Sequence, residues 1–263
     1  MTDIRAEFEA HWHGGDATLL SAAKVAEAAG FLEHLSQGPA TGDPRRVLDV
    51  GCGAGAHAQG LATRSTGAVR YCGADLSMRA LRAAAQQTRP AGAPFTFQQA
   101  DVRCLPYRDG AFDVVFSYGV IGYTSAAQEV LDEMVRVCRP GGIIGVWVYP
   151  AGTGLGAALF SATRRFCRLL GPTLSRPIVW LVAALLPVLP ARSGVTPFNS
   201  TWRQCVEVVE VNLLPTHLDF YSEQDVLGWF RSRNIAVTLV DRRRPVAVWG
   251  CRVPRTDHGV AVQ

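Results

Sequence analysis

Hydrophobic and polar positions alternate with two different periods along residues 47–150. Short apolar runs predict five strands, VLDVG, VRYCGADL, PFTFQQADV, FDVVFSYG and GGIIGVWVYP. Stretches of helical character lie between them, AHAQGLATR, SMRALRAAAQQ and AQEVLDEMVRVC. Strands that alternate with helices indicate an α/β fold, with a parallel sheet covered by helices on both faces.

The flanking regions extend this sheet. Residues 1–38 are predicted to be a helical cap, and 39–46 form a Pro/Gly linker. From 217 onward, SEQDVLGWFRSRN predicts a helix opened by a capping box of Ser222 and Asp225. IAVTLVD and PVAVWGCRV predict an antiparallel hairpin around Arg242–Arg244. We therefore expect a cap (1–38), a core (39–150), an insertion (151–216) and a C-terminal completion of the sheet (217–263).

The insertion is strongly apolar. Ile178–Ala191 carries no charge, but it is only 14 residues long and contains Pro187 and Pro190. A membrane-spanning helix needs about 20 apolar residues, so a transmembrane segment is not predicted. Two interpretations stay open, a buried pair of helices and a hydrophobic lid or membrane-surface patch.

Composition and charge narrow the function classes. The chain has 263 residues, a net charge of +4 and seven scattered cysteines without a CxxC pair. This predicts reduced thiols in a cytoplasmic protein without a metal site. The N-terminal residues do not resemble a signal peptide. The sequence lacks a basic stripe interleaved with aromatic residues, so a nucleic-acid partner is not predicted. The oligomeric state stays open.

The stretch VLDVGCGAGAH joins the first strand to the first helix through Gly51, Gly53 and Gly55. Glycine permits positive φ and close approach of a ligand, and the helix beyond offers free N–H groups. The G-x-G-x-G spacing differs from that of dinucleotide sites, which disfavours a nicotinamide oxidoreductase. Asp75 and Asp101 end the next two strands, at the sheet edge where ligands bind. Together these features predict a site for a nucleoside with a small zwitterionic tail.

Four stretches in this order resemble the class I S-adenosylmethionine-dependent methyltransferases: VLDVGCGAG, GADLSMRALRAA, ADVRCLPYRDGAFDVVFSYGVI and EVLDEMVRVCRPGGIIGVWVY. The resemblance implies a doubly wound, mostly parallel seven-stranded Rossmann-like sheet whose last strand is antiparallel. It also implies S-adenosylmethionine as cofactor and S-adenosylhomocysteine as product. The implied cofactor-binding residues are Asp49, Gly51, Cys52, Gly53, Gly55, Asp75, Leu76, Asp101, Val102, Ser117 and Tyr118.

Within this set the resemblance implies individual roles. Asp75 matches the acid that binds the ribose, and Asp101 with Val102 lies at the adenine. Asp49 matches an acid beside the methionine portion of the cofactor. A carboxylate satisfied by nearby backbone N–H groups is the alternative for Asp49. Cys52 is expected to face the cofactor only through its backbone.

Methyl transfer from a sulfonium is an in-line displacement, so the protein mainly positions the nucleophile and excludes water. A base is needed only where the nucleophile loses a proton. His217 is our preferred general base, with Tyr118 and Tyr123 as further candidates. The acceptor is expected to contact side chains in the segments that the fold places over the cofactor, namely Trp12, Tyr123, Tyr149, Trp202, Arg203 and Tyr221.

The apolar insertion favours a hydrophobic small-molecule acceptor, methylated at O, N or C. SYGV after the fourth strand replaces the D/N-P-P-Y/F sequence of relatives that methylate nucleobases or glutamine. The Ala-, Arg- and Gly-rich composition suggests a GC-rich bacterial genome and natural product biosynthesis. Two alternatives stay open, a cofactor-binding protein that does not methylate, such as a cyclase, and a membrane-associated lipid methyltransferase.

Overall fold

The computed structural model describes most of the sheet and the insertion. The described residues are 44–62, 69–89, 95–185, 202–241 and 246–254, with Val25, Ala28 and Gly30 in addition. Trp12, the arginine run at 242–244 and most of the predicted N-terminal cap lie outside them, as does the side chain of Arg203.

Seven strands and six α-helices have defined bounds within the described residues. The strands are β1 (Arg45–Val50), β2 (Val69–Asp75), β3 (Phe95–Gln99), β4 (Phe112–Tyr118), β5 (Cys138–Trp147), β6 (Ile235–Asp241) and β7 (Ala247–Arg252). The helices are α1 (Ala56–Ala62), α2 (Met78–Thr88), α3 (Ala127–Val137), α4 (Gly154–Leu185), α5 (Trp202–Leu213) and α6 (Glu223–Ser232). A short 3₁₀ helix, Ile121–Tyr123, follows β4.

All seven strands form one sheet in the order β3-β2-β1-β4-β5-β7-β6. The first five strands pair in parallel, and β7 pairs antiparallel with both β5 and β6. The predicted seven-stranded sheet with an antiparallel last strand and the predicted hairpin are therefore confirmed. The carboxyl ends of the five parallel strands meet along one edge of the sheet, which positions the loops discussed below.

Successive residues of the central strands face opposite sides of the sheet, and each side has its own core. Leu48 and Val115 pack with residues of α3 and α6 on one side. Val47 and Val114 pack with Tyr71 and Ala58 on the other. Burial on both faces explains the continuous apolar runs of these strands.

Helix α6 begins as its sequence predicts. The Ser222 hydroxyl accepts from the backbone N–H of Asp225, and the Asp225 carboxylate accepts from the backbone N–H of Ser222. These reciprocal bonds satisfy N–H groups that would otherwise lack partners at a helix start. The predicted capping box is confirmed.

The insertion contains α4 and α5, which pack on each other. Gly171, with φ 76° and ψ 169°, interrupts α4 and divides it into two arms. Cys167, Val179 and Ala183 of α4 form a small core with Cys205 and neighbouring residues of α5. Several large apolar side chains on α4 are nevertheless exposed to solvent, so the interpretation as a buried pair holds only for the side that faces α5.

Candidate active site

The glycine loop between β1 and α1 is fastened to the end of β2. The N–H groups of Gly51 and Cys52 both donate to the Ala74 carbonyl, at 2.7 and 3.0 Å. The Gly53 N–H donates to Oδ2 of Asp75 at 2.8 Å. The loop therefore lies directly beside the first acid that the sequence assigns to the site.

Two loop glycines are required by packing as well as by backbone conformation. All three have positive φ, at 80°, 52° and 84° for Gly51, Gly53 and Gly55. A Cβ on Gly51 would lie 2.3 Å from Cγ2 of Val120, just after β4, and one on Gly55 would lie 2.8 Å from the Cβ of Ala84 in α2. At these two positions the side chains of Val120 and Ala84 occupy the space through which we expected a ligand to approach the backbone. The role of Gly53 in ligand approach stays a prediction.

Asp49 lies at the centre of a buried polar cluster. Its Oδ2 accepts a 2.6 Å hydrogen bond from the Tyr71 hydroxyl and lies 3.0 Å from Nδ1 of His57. Burial, and then the charge of Asp49, raise the pKa of Tyr71 well above its usual value, so this hydroxyl stays a donor. The alternative of a carboxylate satisfied by backbone N–H groups is not what these contacts show.

The other oxygen of Asp49, Oδ1, is buried without a hydrogen-bond partner among the described residues. Asp49 as a whole is 0% exposed. A buried carboxylate oxygen without a partner is costly, because it has lost water without gaining a donor. A cationic group bound at the glycine loop would satisfy it, and the ammonium of S-adenosylmethionine is such a group. The buried acceptor at this position therefore fits the implied cofactor.

Asp75 joins the glycine loop to the start of α2. Besides its bond from Gly53, it accepts a 2.9 Å bond at Oδ1 from the Ser77 N–H. Ser77 in turn caps α2 by accepting from the Ala80 N–H at 3.2 Å. A carboxylate oxygen can accept more than one hydrogen bond, so these contacts are compatible with ribose hydroxyls at Asp75. Leu76 lies between the two linked residues and is partly buried.

Asp101 lies two residues beyond the end of β3 rather than within the strand, as the sequence suggested. Its carboxylate is held by the Arg103 guanidinium, with a shortest contact of 2.6 Å, and by the Arg103 N–H at 2.9 Å. The side-chain bond from Arg103 is the main cause that lowers the pKa of Asp101. Val102 is buried beside it. Nothing in the sequence indicated that Arg103 would hold this carboxylate.

The thiol of Cys52 and the hydroxyl of Ser117 are both turned into the protein. The Cys52 sulfur occupies the space beside Gly73 of β2, and burial raises its pKa well above the usual value. The Ser117 hydroxyl donates to the Val50 carbonyl at 3.0 Å, which ties the end of β4 to the end of β1. These geometries favour roles in shaping the loop.

A series of contacting aromatic rings begins at the ends of β4 and β5. Tyr118 is paired with Trp147 in the sheet register, and the two rings stack at 4.4 Å with an interplanar angle of 13°. The His57 ring meets Tyr118 edge-on at 5.2 Å. These ring contacts therefore start beside the Asp49 cluster and the glycine loop.

The ring contacts continue from the sheet to the insertion. Trp147 meets Tyr149 at 4.9 Å, and Tyr149 meets Tyr123 at 5.8 Å and Phe220 at 6.4 Å. Phe220 meets Phe160 of α4 at 5.7 Å. Ring contacts thus run without a break from Tyr118 to the insertion; we call this set (118, 123, 147, 149, 160 and 220) the aromatic array.

The hydroxyl of Tyr123 is engaged with the insertion. It donates to the Val211 carbonyl of α5 at 2.9 Å and lies 3.3 Å from the Tyr149 hydroxyl. Burial, and then Tyr149, raise the pKa of Tyr123 well above its usual value. This geometry favours a structural role for Tyr123 over the role of general base.

His217 is oriented by a neighbouring carboxylate. Its Nε2 lies 3.0 Å from Oδ2 of Asp219, which also accepts from the Tyr221 hydroxyl at 3.3 Å. Backbone bonds fasten this segment to the site, from the Asp219 N–H to the Gly122 carbonyl and from the Tyr221 N–H to the Tyr149 carbonyl. Burial is the main cause that raises the pKa of Tyr221 to about 12. A histidine held by a carboxylate is the arrangement that a general base requires.

The structure brings together most of the predicted residues and adds others. Trp202 is exposed at the start of α5, and the described ring contacts do not join it to the array. Sequence reasoning missed His57, Tyr71, Val120 and Trp147. The alternation of residues 147 and 149 was a signal for Trp147, because both fall on the same face of β5 as it ends.

Neither a metal centre nor a spanning helix is found where the chain is described. None of its described helices is long and apolar enough to cross a membrane. The described residues contain no group of three or more side chains arranged to hold a metal ion.

Comparison with known proteins shows what the region around this site is similar to. A family model described as a methyltransferase domain matches residues 47–142. An uncharacterized protein of Mycobacterium tuberculosis is 33% identical over 143 residues, which cover 54% of this chain and 50% of that protein. Methyltransferase GfsG of Streptomyces halstedii is 36% identical over 103 residues, 38% of this chain and 36% of its own. The chain thus spans about half or less of the length of these relatives.

Solved structures share the fold at low sequence identity. A SAM-dependent methyltransferase from Aquifex aeolicus superposes with a TM-score of 0.53 at 13% identity, covering 89% of this chain and 100% of that one. The matched region, 47–142, contains the glycine loop, Asp75, Asp101 and the first residues of β5. Residues 47–142 are therefore similar to a methyltransferase domain, and the chain shares its fold with a solved S-adenosylmethionine-dependent methyltransferase.

Proposed function

We propose that the protein transfers a methyl group from S-adenosylmethionine to an oxygen, nitrogen or carbon atom of a hydrophobic small molecule. The observation that carries the acceptor class is the aromatic array, which extends from the glycine loop to the insertion. Aromatic walls bind apolar, and especially planar, molecules through burial and ring stacking.

S-Adenosylmethionine supplies a methyl group on a sulfonium, which is already activated for displacement. The residues of this chain therefore bind and orient. Asp49 and Asp75 would hold the ammonium and ribose, and Asp101 with Val102 would border the adenine. Tyr118 and Trp147 would lie against the acceptor. Positioning of this kind can account for much of the rate of a bimolecular displacement.

His217 would remove the proton from an acceptor hydroxyl. Asp219 holds its Nε2, so Nδ1 is the nitrogen left to face an acceptor. An acceptor that needs no deprotonation would not use this group. Tyr149 and Tyr221 would lie against the acceptor together with Tyr118 and Trp147, and we call these four side chains the acceptor wall. Trp202, Arg203 and Trp12 are further predicted contacts.

We also place the protein in the cytoplasm and in bacterial natural product biosynthesis. All seven cysteines are described, and all are free thiols, which supports a reducing compartment. The biosynthetic role rests on the composition and on the apolar character of the acceptor wall.

The test is turnover. The purified protein is incubated with S-adenosylmethionine and a panel of apolar phenols, quinols, aromatic amines and enols, and S-adenosylhomocysteine and methylated product are measured by mass spectrometry. We expect formation of S-adenosylhomocysteine that depends on the acceptor. Binding of S-adenosylhomocysteine without turnover on any acceptor would contradict methyl transfer and favour the non-methylating alternative.

Two variants separate the role of the acceptor wall from that of His217 as general base. Trp147→Ala should raise KM more than it lowers kcat. His217→Gln should lower kcat about 10²–10⁴-fold for hydroxyl acceptors and leave amine acceptors nearly unchanged. Asp109→Asn is the matched control, because Asp109 is exposed and lies in the loop that enters β4, at the opposite edge of the sheet from the site.

A further inference from the structure

Helix α4 exposes two rows of large apolar side chains. Leu155, Leu159, Phe166 and Leu169 are exposed on the first arm, and with Ala162 they follow spacings of four, three, four and three residues. This spacing places them on one face of a helix. Leu155 and Leu169 are 86% and 81% exposed. Leu174, Leu181 and Leu185 form the second row, beyond the break at Gly171.

These rows are distinct from the side of α4 that packs on α5. Cys167 and Val179 are fully buried against α5, one on each arm. The exposed rows therefore add to an apolar surface that the insertion does not need for its own folding. Isolated exposed apolar residues are common, but large exposed residues concentrated on one element mark an interaction surface.

The charge around this surface is of one sign. Helix α4 contains four arginines and no acidic residue, and the sequence has no Asp or Glu between Glu133 and Glu207. Arg165, Arg168 and Arg176 are exposed, whereas Arg164 is bound to the carbonyls of Asn212 and Pro215. A partner that covers the apolar rows would thus meet positive charge beside them.

Two tryptophans complete the pattern. Trp180 on α4 and Trp202 at the start of α5 are 53% and 55% exposed. Tryptophan is enriched where an apolar environment meets water, because its ring is apolar and its N–H needs a polar partner. Arginine, leucine and tryptophan together on an amphipathic helix are typical of elements that lie in the interface of an anionic membrane.

We propose that α4 docks on the surface of a bilayer that contains anionic lipids. The two apolar rows would enter the boundary between headgroups and acyl chains, to a depth of about 5–10 Å. The arginines would contact lipid phosphates. A second copy of the chain fits less well, because a symmetric contact through this face would bring the arginines of both copies together.

The docking surface adjoins the aromatic array. Phe160, the last ring of the aromatic array, lies next to Leu159 in the chain, with Leu159 exposed and Phe160 packed inward. An apolar acceptor dissolved in the bilayer would therefore meet the array from this helix. The docking itself does not depend on methyl transfer.

The test is flotation of the full chain with vesicles of phosphatidylcholine alone and of phosphatidylcholine with phosphatidylglycerol. We expect binding to the anionic vesicles that weakens as salt rises. Leu159→Glu with Leu181→Glu should lower the bound fraction about tenfold or more, because both side chains would enter the apolar boundary. Val237→Glu is the matched control, since Val237 is also exposed but lies on β6.

A second variant pair tests the charges. Arg165→Glu with Arg168→Glu should abolish the preference for anionic vesicles and retain the affinity for S-adenosylhomocysteine. Retained cofactor affinity also separates failure of docking from failure of the proposed methyl transfer. Absence of binding by the wild-type chain to anionic vesicles would overturn the proposal. So would self-association in sedimentation velocity that the leucine variants abolish, because it would assign the surface to a second copy.

Discussion

The Tyr71 hydroxyl of β2 lies 2.6 Å from Oδ2 of Asp49 in β1, and both side chains are almost completely buried. This pair joins two neighbouring strands beneath the glycine loop. It fixes one carboxylate oxygen of Asp49, whereas the other has no partner among the described residues.

Tyr71→Phe should destabilise the fold by about 1–3 kcal/mol, because a buried carboxylate oxygen loses a hydrogen-bond donor. Urea unfolding measures this difference. Tyr107→Phe is the control, since the hydrogen-bond partner of the Tyr107 hydroxyl among the described residues is the weakly polar Cys72 sulfur, at 3.1 Å. This substitution should change stability by less than about 1 kcal/mol. Equal effects of the two substitutions would contradict the role that we assign to the Asp49 contact.

Gly51→Ala should lower stability by at least about 2 kcal/mol, through the left-handed backbone and the clash with Val120. Val120→Ala in the same chain should restore part of the loss, so the double-mutant cycle should give a favourable coupling. Gly154→Ala isolates the backbone cost, because Gly154 also has positive φ but has no neighbour within 4 Å of an added Cβ. Additive effects of the Gly51 and Val120 substitutions would rule out the packing explanation.

Asp75→Asn should weaken binding of S-adenosylhomocysteine by about 1–3 kcal/mol, because charge-assisted hydrogen bonds become neutral ones. Asp75→Ala should also reduce stability, since it removes the acceptor of the Gly53 and Ser77 N–H groups. Calorimetry and thermal unfolding measure the two effects, with Asp109→Asn as control. Unchanged affinity of the asparagine variant would remove Asp75 from the cofactor site.

The Glu133 carboxylate should make the free energy of unfolding depend on pH. The bond from the Arg136 side chain is the main cause that lowers the pKa of Glu133 below its ordinary value of 4.5, and the Leu105 N–H adds to it. The stabilisation is complete above pH 4.5 and is lost as the pH falls through the lowered folded-state pKa. Melting temperatures of Glu133→Gln should therefore fall less steeply on acidification than those of the wild type. Parallel curves would contradict this, and the exposed Glu129→Gln serves as control.

Features that depend on short stretches of chain were predictable from the sequence. The strand-to-helix loop, the acid at the end of β2 and the capping box of α6 can each be recognised within a short stretch of the sequence. Local propensity and turn chemistry decide such features, and the family resemblance reinforces them.

Features that depend on strand register were not predictable. Tyr71 reaches Asp49, and Trp147 stacks on Tyr118, only because of how neighbouring strands align. The approach of Val120 to Gly51 likewise depends on the path of the chain after β4. For α4, the sequence showed an apolar segment but not which side α5 would cover.

The small core between α4 and α5 shares no residue with the two cores of the sheet. Opening of α4 and α5 would break this core and the contacts that join it to the rest of the chain, such as the bond from Tyr123 to Val211, but neither core of the sheet. This region can therefore unfold as its own foldon while the sheet stays intact. Amide protons at Val179 and Val209 should then exchange with deuterium through a subglobal opening, well before those of Leu131 in α3. Each such opening would briefly give bulk solvent a route to the rings of the array.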